Sequence, residues 1–253
     1  FFLALNLHNA HVPYAVPEGF KRPFGPDRID FRLTAGGYPA ERAGVVRDLY
    51  ADSLAYVDGQ LARLFGALKE RGLWERTLIV VTADHGEAFL EHGSAAHANG
   101  VYDEVMRVPL VVRAPGLEPG RESRPAQLVD VAPTLLGLLG LPPHPSFQGL
   151  DLLAAEFPRE RSRWLLCDSP WNTHLALVRS GHKLIHDGRL GRCVLYDLGA
   201  DPGEKRDVLA ERPELARELR GRLAAFRRGQ VGYYGDVLRQ GREYPPILVE
   251  ELR

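Results

Sequence analysis

The sequence predicts an α/β fold in which a mostly parallel sheet flanked by helices is followed by a small antiparallel sheet with a helix. Three observations lead there. Continuous apolar runs of strand length, Thr77–Thr82 and Val108–Val112, lack the alternation of a half-exposed strand, as strands covered on both faces do. Helical patterns stand between and around them, the order of an α/β layered domain. Beyond Pro142-Pro143 the chain breaks into short strand-like pieces divided by turn residues, the texture of an antiparallel meander.

The elements follow in order. Phe1-Phe2-Leu3-Ala4-Leu5-Asn6-Leu7 is an apolar run predicted as a buried strand, ending at a polar turn with His8 and His11. No charged start or small-residue cleavage site marks it as a signal peptide, so the chain is expected to be a fragment whose beginning is missing. Residues 12–38 hold Pro13, Pro17, Pro23, Pro26, Gly36 and Gly37 and read as a long irregular loop of functional or mobile character. Val46, Leu49, Tyr50, Leu54, Val57, Leu61, Leu64, Phe65 and Leu68 recur at helical spacing, which predicts a helix over about 39–71 capped by Gly72. A short helical turn after Gly100 precedes the strand at 108–112, and a helix over 127–139 is expected to kink at Pro133. The meander comprises Trp164–Cys167, Leu175–Arg179, Lys183–His186 and Cys193–Leu198, followed by a helix over about 213–227 with Pro213 in its first turn. The expected division is residues 1–145 for an α/β domain and 146–253 for a small-sheet-and-helix subdomain with a tail.

Composition narrows the function. The 253 residues, 45% hydrophobic and 26% charged, suit one large or two modest globular domains and exclude general disorder. With 32 basic and 33 acidic side chains, a net charge of -1 gives no general case for nucleic acid or an anionic membrane as partner. The longest apolar stretches, Thr77–Ala83 and Leu135–Leu141, fall far short of the ~20 residues of a membrane span. Cys167 and Cys193 lack metal-ligand spacing. Trp171 and Tyr233-Tyr234 suit stacking on a substrate ring, although isolated aromatics more often serve packing.

Ligands of open α/β sheets bind beyond the carboxyl ends of strands. There the chain places His8 and His11, and then Asp84-His85-Gly86-Glu87. Asp84 and His85 together offer a carboxylate oxygen and an imidazole nitrogen to one divalent cation; equally, Asp84 suits a cap with His85 packed beside it. Glu87, Glu91, His92 and His97 follow closely, a clustering of polar groups that serves a core poorly. His92 suits a surface loop as well as a site. His144, His174, His182 and His186 stand without partner sets and read as structural.

Five blocks in order then resemble the sulfatase family of the alkaline-phosphatase superfamily. They are Phe1-Phe2-Leu3 to Ala10-His11-Val12-Pro13-Tyr14; Asp84-His85-Gly86-Glu87 with Glu91-His92-Gly93 and His97; Tyr102-Asp103-Glu104 through Arg107-Val108-Pro109-Leu110; Val129-Asp130-Val131-Ala132-Pro133-Thr134-Leu135-Leu136; and Leu195-Tyr196-Asp197-Leu198 to Asp201-Pro202-Gly203-Glu204. The resemblance implies the C-terminal part of an alkaline-phosphatase-like sheet and the metal-dependent hydrolysis of small-molecule or saccharide sulfate esters. It makes Asp84 and His85 metal ligands, for Ca2+ as the family usually has it, or for Mn2+ or Zn2+, which imidazole suits. It makes His11 the contact to the sulfate ester and donor to the leaving oxygen, and His97 a second group beside the transferred sulfuryl.

The family's nucleophile, a formylglycine made in a Cys/Ser-x-Pro-x-Arg motif, has no counterpart in these residues, nor do its first metal carboxylates. Both are expected in a missing N-terminal half of the same protein, so these residues alone are expected to be inactive. Two other readings stand beside this one. A phosphodiester or phosphonate-monoester hydrolase of the same superfamily fits Asp-His ligation and His97, and a truncated, non-catalytic remnant fits the missing nucleophile.

Overall fold

The computed structural model describes residues 1–34, 36–169, 172–240 and 242–245. The chain divides into two compact units, residues 1–99 with 104–117 and residues 100–103 with 118–253.

In the first unit the dominant element is α1 (Ala43–Glu70), entered through a 3-10 turn at Ala40–Arg42. Gly72 closes it at φ +63°, its N–H reaching the Lys69 carbonyl, a left-handed conformation that glycine adopts without steric cost. Val46 and Leu49 are buried with Tyr14 and Phe89, while the apolar stripe beyond Val57 is only half covered. Asp52 of α1 is wholly buried and ties down the long loop: its carboxylate accepts the N–H groups of Phe24 and Gly25 at 3.0 and 3.1 Å and faces Arg22 at 3.4 Å. A side chain at Gly25 would press on that carboxylate.

The strands β1 (Ile79–Thr82), β2 (Ala88–Phe89) and β3 (Ala95–Ala96) follow, then the single turn α2 (Asp103–Met106) and β4 (Leu110–Arg113). β1 pairs with β4 from Ile79↔Arg113 to Thr82↔Leu110, and the pairing is antiparallel. Both strands are half-exposed, so the expectation of coverage on both faces does not hold for them. Residues 1–7 are a second correction. Among the described residues they join no ladder, and Phe1 and Phe2 are about nine-tenths exposed (90% and 88%). The composition of the run suits a strand, but a strand forms only beside a partner that takes its N–H and C=O groups.

In the second unit, Leu128–Asp130 form a 3-10 turn that leads into α3 (Val131–Leu138). Pro133 therefore sits in the first helical turn, where its missing N–H removes no bond, and the expected kink is absent. Buried Asp130 accepts the Gln127 and Leu150 N–H groups and pairs with buried Arg161 at 2.9 Å. The strands β5 (Arg163–Ser169), β6 (Asn172–Arg179), β7 (His182–Asp187) and β8 (Arg192–Asp197) form the expected antiparallel meander in sequence order. Trp164, Leu177, Leu184 and Leu195 stand directly opposite one another across it. Against that row packs α4 (Pro213–Tyr234) through Ala216, Leu219 and Leu223, and Trp164 stacks on Phe226 with ring centres 4.5 Å apart. Each fully buried leucine there contributes about 1.5–3 kcal/mol. A last turn, α5 (Val237–Gln240), follows Gly235. Tyr233 is buried with its hydroxyl on the Glu243 carbonyl, a packing role, and Trp171 lies outside the described residues. Among the described residues no helix is long and apolar enough to cross a membrane.

Candidate active site

The site lies in the first unit, where β1 gives way to the Asp84-His85-Gly86-Glu87 turn. The Gly86 N–H donates to the Val105 carbonyl at 2.6 Å, and a Cβ on Gly86 would collide with the Glu104 carbonyl. Glycine is thus required for the turn to lie against α2. The His85 N–H donates to Asp84 Oδ1 at 3.0 Å, while the rest of the Asp84 side chain points outward, 86% exposed.

The β2–β3 hairpin carries the chain back to His97, which is flanked by Ala96 and Ala98 at φ +61° and +66°. Such left-handed residues cost about 1–2 kcal/mol each outside glycine, and non-glycine examples gather at functional sites. The turn stacks the His97 ring on His85, centres 4.1 Å apart, and sets it edge-on to His11 at 5.1 Å. His11 arrives from the 3-10 turn His8–Ala10, so three histidines far apart in sequence share one spot.

Each of the three is oriented in the same way. His11 Nδ1 lies 2.8 Å from the Val12 carbonyl, His85 Nδ1 2.8 Å from the Gly86 carbonyl, and His97 Nδ1 3.3 Å from Glu87 Oε1. Carbonyl and carboxylate oxygens only accept, so each Nδ1 carries the proton and each Nε2 is the open atom. Glu87 is buried, its side chain 4% exposed, and Tyr14 hydrogen-bonds it from the core. Burial, and next the Glu87 charge, push the Tyr14 phenol far above its ordinary range; Tyr50 shifts the same way for the same reasons. Both phenols therefore face Glu87 as protonated groups.

Glu91 and His92 have other partners. Glu91 pairs with Arg47 at 2.9 Å, and His92 Nδ1 meets Glu104 at 2.7 Å. The sequence placed Glu87 in a polar cluster without a role; only the burial of Tyr14 beneath it reveals one.

The family model for sulfatases matches residues 1–141. The chain belongs to the sulfatase family. Bovine arylsulfatase K is 27% identical over 197 residues, covering 72% of this sulfatase chain and 36% of its own length. Human iduronate 2-sulfatase is 29% identical, covering 83% of the chain and 44% of its own. Among solved structures, that of BT4656 in complex with its substrate D-glucosamine-2-N,6-O-disulfate aligns with a TM-score of 0.64 and 25% identity, over 80% of the chain and 44% of its own. The phosphonate monoester hydrolase of Agrobacterium radiobacter aligns with a TM-score of 0.60 and 27% identity, over 74% and 42%. The fold is the alkaline-phosphatase-like one, and the sulfatase chain spans less than half the length of these relatives.

A divalent ion, general in sulfatases, finds a partial donor set here. Asp84 Oδ2 and His85 Nε2 lie 3.9 Å apart on the exposed side of the turn, with the Nδ1–H of His85 committed to a carbonyl, the orientation usual for a ligating imidazole. Among the described residues no group of three or more His, Cys, Asp or Glu side chains is placed to hold a metal ion, and this pair would supply two donors.

Proposed function

We propose that this chain supplies the metal-binding Asp-His pair and the two sulfate-facing histidines, His11 and His97, of a sulfate-ester hydrolase. The observation that carries the reading is the convergence of His11, His85 and His97 with every Nδ1 tied back to an acceptor. Asp84 and His85 would hold the divalent ion, Ca2+ first and Mn2+ or Zn2+ as alternatives, and when bound it neutralises charge on the non-bridging oxygens. His11 Nε2, when protonated, donates to the leaving oxygen. His97 Nε2, when protonated, donates to a non-bridging oxygen, with the ring held at its far side by Glu87. Transfer of a sulfuryl group leaves a protein little covalent work, so fixed donors of this kind supply most of the acceleration, as in phosphoryl transfer. The nucleophile on this reading is a formylglycine from a motif that these 253 residues do not contain.

A second reading, hydrolysis of phosphonate monoesters, draws on the likeness to the Agrobacterium enzyme and on the Asp-His pair. Protein from its native source, with intact mass and peptides read for formylglycine, is assayed on an aryl sulfate and an aryl phosphonate monoester. Turnover of the sulfate that falls roughly 100-fold or more in His11→Ala and His97→Ala supports the first reading. Preference for the phosphonate moves it to the second. A native chain that begins at Phe1 and turns over neither is a non-catalytic remnant.

A further inference from the structure

The sequence leaves His92 open between a surface loop and a site, and the structure gives it neither place. Its side chain is 12% exposed and its Nδ1 lies 2.7 Å from Glu104 Oε1, on a carboxylate itself only 15% exposed. A carboxylate accepts, so Nδ1 carries the proton. A carboxylate drawn this far out of water is a poor source of stability beside apolar packing, so where the pair stands is the better guide to its use. His92 belongs to the turn Leu90-Glu91-His92-Gly93 that closes the β2–β3 hairpin. There the Leu90 N–H reaches the Ser94 carbonyl and the Gly93 N–H the Leu90 carbonyl, both at 3.1 Å. Leu90 and Gly93 take left-handed conformations in it, at φ +72° and +77°. The tip of the hairpin is thus defined, and His92 points from it to Glu104.

Glu104 faces a second neighbour with its main chain. Its carbonyl lies against Gly86, so closely that no Cβ fits there, and the next carbonyl, that of Val105, accepts the Gly86 N–H at 2.6 Å. The Gly86 carbonyl in turn accepts the His85 Nδ1–H at 2.8 Å. His92, Glu104, Val105, Gly86 and His85 therefore form an unbroken series of contacts, and all five lie in the first unit. The hairpin meets the same turn again at its other end, where His97 stacks on His85. We propose that His92 and Glu104 are positioning residues, a clamp between the hairpin tip and the Glu104–Val105 backbone that fixes the Gly86 peptide and through it the His85 ring. An imidazole ligand depends on the acceptor behind it for its tautomer and aim. Here that acceptor is a backbone carbonyl, which can be aimed only by holding its peptide. The assignment rests on the reading of His85 as a metal ligand.

The test uses the full chain. His92→Leu and Glu104→Ala each remove one side of the clamp, and His92→Asn returns an N–H donor near the place of Nδ1. Asp52→Asn loosens the same unit elsewhere, at the anchor of residues 22–25. Two signals are followed: exchange of the Gly86 amide against the amides of the β1–β4 ladder, and the His85 ring tautomer by long-range 1H–15N correlation near pH 8. In His92→Leu and Glu104→Ala the Gly86 amide should exchange about tenfold faster or more relative to the ladder, and His85 should lose its preference for Nδ1–H. His92→Asn should bring both signals back toward the wild type. In Asp52→Asn any quickening is shared with the ladder and the His85 tautomer is kept. Should His92→Leu fail to fold, Glu104→Ala carries the same test. An unmoved Gly86 amide and His85 ring in the variant that folds overturns the proposal, as does an equal response in Asp52→Asn or no recovery in His92→Asn. The reading of His85 as a ligand fails separately, through Mn2+ that broadens its signals in the wild type no more than those of His144.

Discussion

Glu87→Gln tests whether a buried carboxylate sets the tautomer of His97. The Tyr14 hydroxyl donates to Glu87 from one side and the His97 Nδ1–H from the other, at 3.3 Å. A glutamine has one oxygen to accept and one NH2 to donate. With its oxygen taken by Tyr14, it presents N–H to His97 and turns Nδ1 into an acceptor, so the ring proton moves to Nε2. Bonds to a charged partner contribute about 1.5–3 kcal/mol and neutral ones about 0.5–1.5. Two such exchanges cost at most about 2 kcal/mol, because the glutamine also relieves the burial of a charge. For a chain of this size that is a fall in Tm of at most about 4–8 °C. Long-range 1H–15N correlation of histidine-labelled protein near pH 8, above the ordinary imidazole range, reads the tautomer directly. A His97 ring that keeps its proton on Nδ1 in Glu87→Gln would refute the reasoning, whatever the melting point does.

Other outcomes follow from the same structure. Gly86→Ala drives a Cβ into the Glu104 carbonyl; thermal unfolding should show a loss of about 1–3 kcal/mol or more, and an unchanged Tm would mean the turn is looser than described. Ala98→Gly relieves a left-handed alanine at φ +66°; about 1–2 kcal/mol of relief against about 0.5–1 of added unfolded-state freedom predicts a result from neutral to about 1.5 kcal/mol more stable, which a urea-measured loss above about 1 kcal/mol would contradict. His174 is buried on β6, and burial lowers its pKa more than Asp187 opposite raises it. The folded chain then binds fewer protons than the unfolded one, so stability is full above about pH 6.5, falls as pH drops toward the lowered folded value, and levels below it, with a slope of at most about 1.4 kcal/mol per pH unit. His174→Phe should flatten that part of the profile; an identical profile would assign the acid loss to other groups.

The meander and its helix were legible in the sequence because each strand is short, bounded by turn residues and paired with its neighbour, so local pattern and global pairing agree. The first unit was less so. An apolar run such as Phe1–Leu7 states what kind of neighbour it needs and not whether one lies alongside, and β1 with β4 shows the same gap, since the run carries no mark of strand direction. Pro133 was misread by position: the same residue kinks a helix interior and opens a first turn, and the start of α3 at Val131 decided which. Asp84, His85, His97 and His11 were placed by motif, and the fold does bring the three histidine rings together.

What no motif supplies is the reason those rings face as they do. Two of the three acceptors that hold Nδ1 are carbonyls of the next residue, Val12 and Gly86, groups that every sequence possesses. They act only because the turn conformations aim them. The third, Glu87, is a side chain, but its effect depends on Tyr14 closing the core beneath it. An acidic residue two positions after a strand-end histidine is common enough to mean little alone. Burial separates a carboxylate that orients a ring from one that merely shares its loop, and here Glu91, exposed enough to pair with Arg47, is the internal contrast. Exchange of the two acids should therefore be asymmetric: Glu91→Gln leaves the His97 tautomer as it is, and Glu87→Gln inverts it.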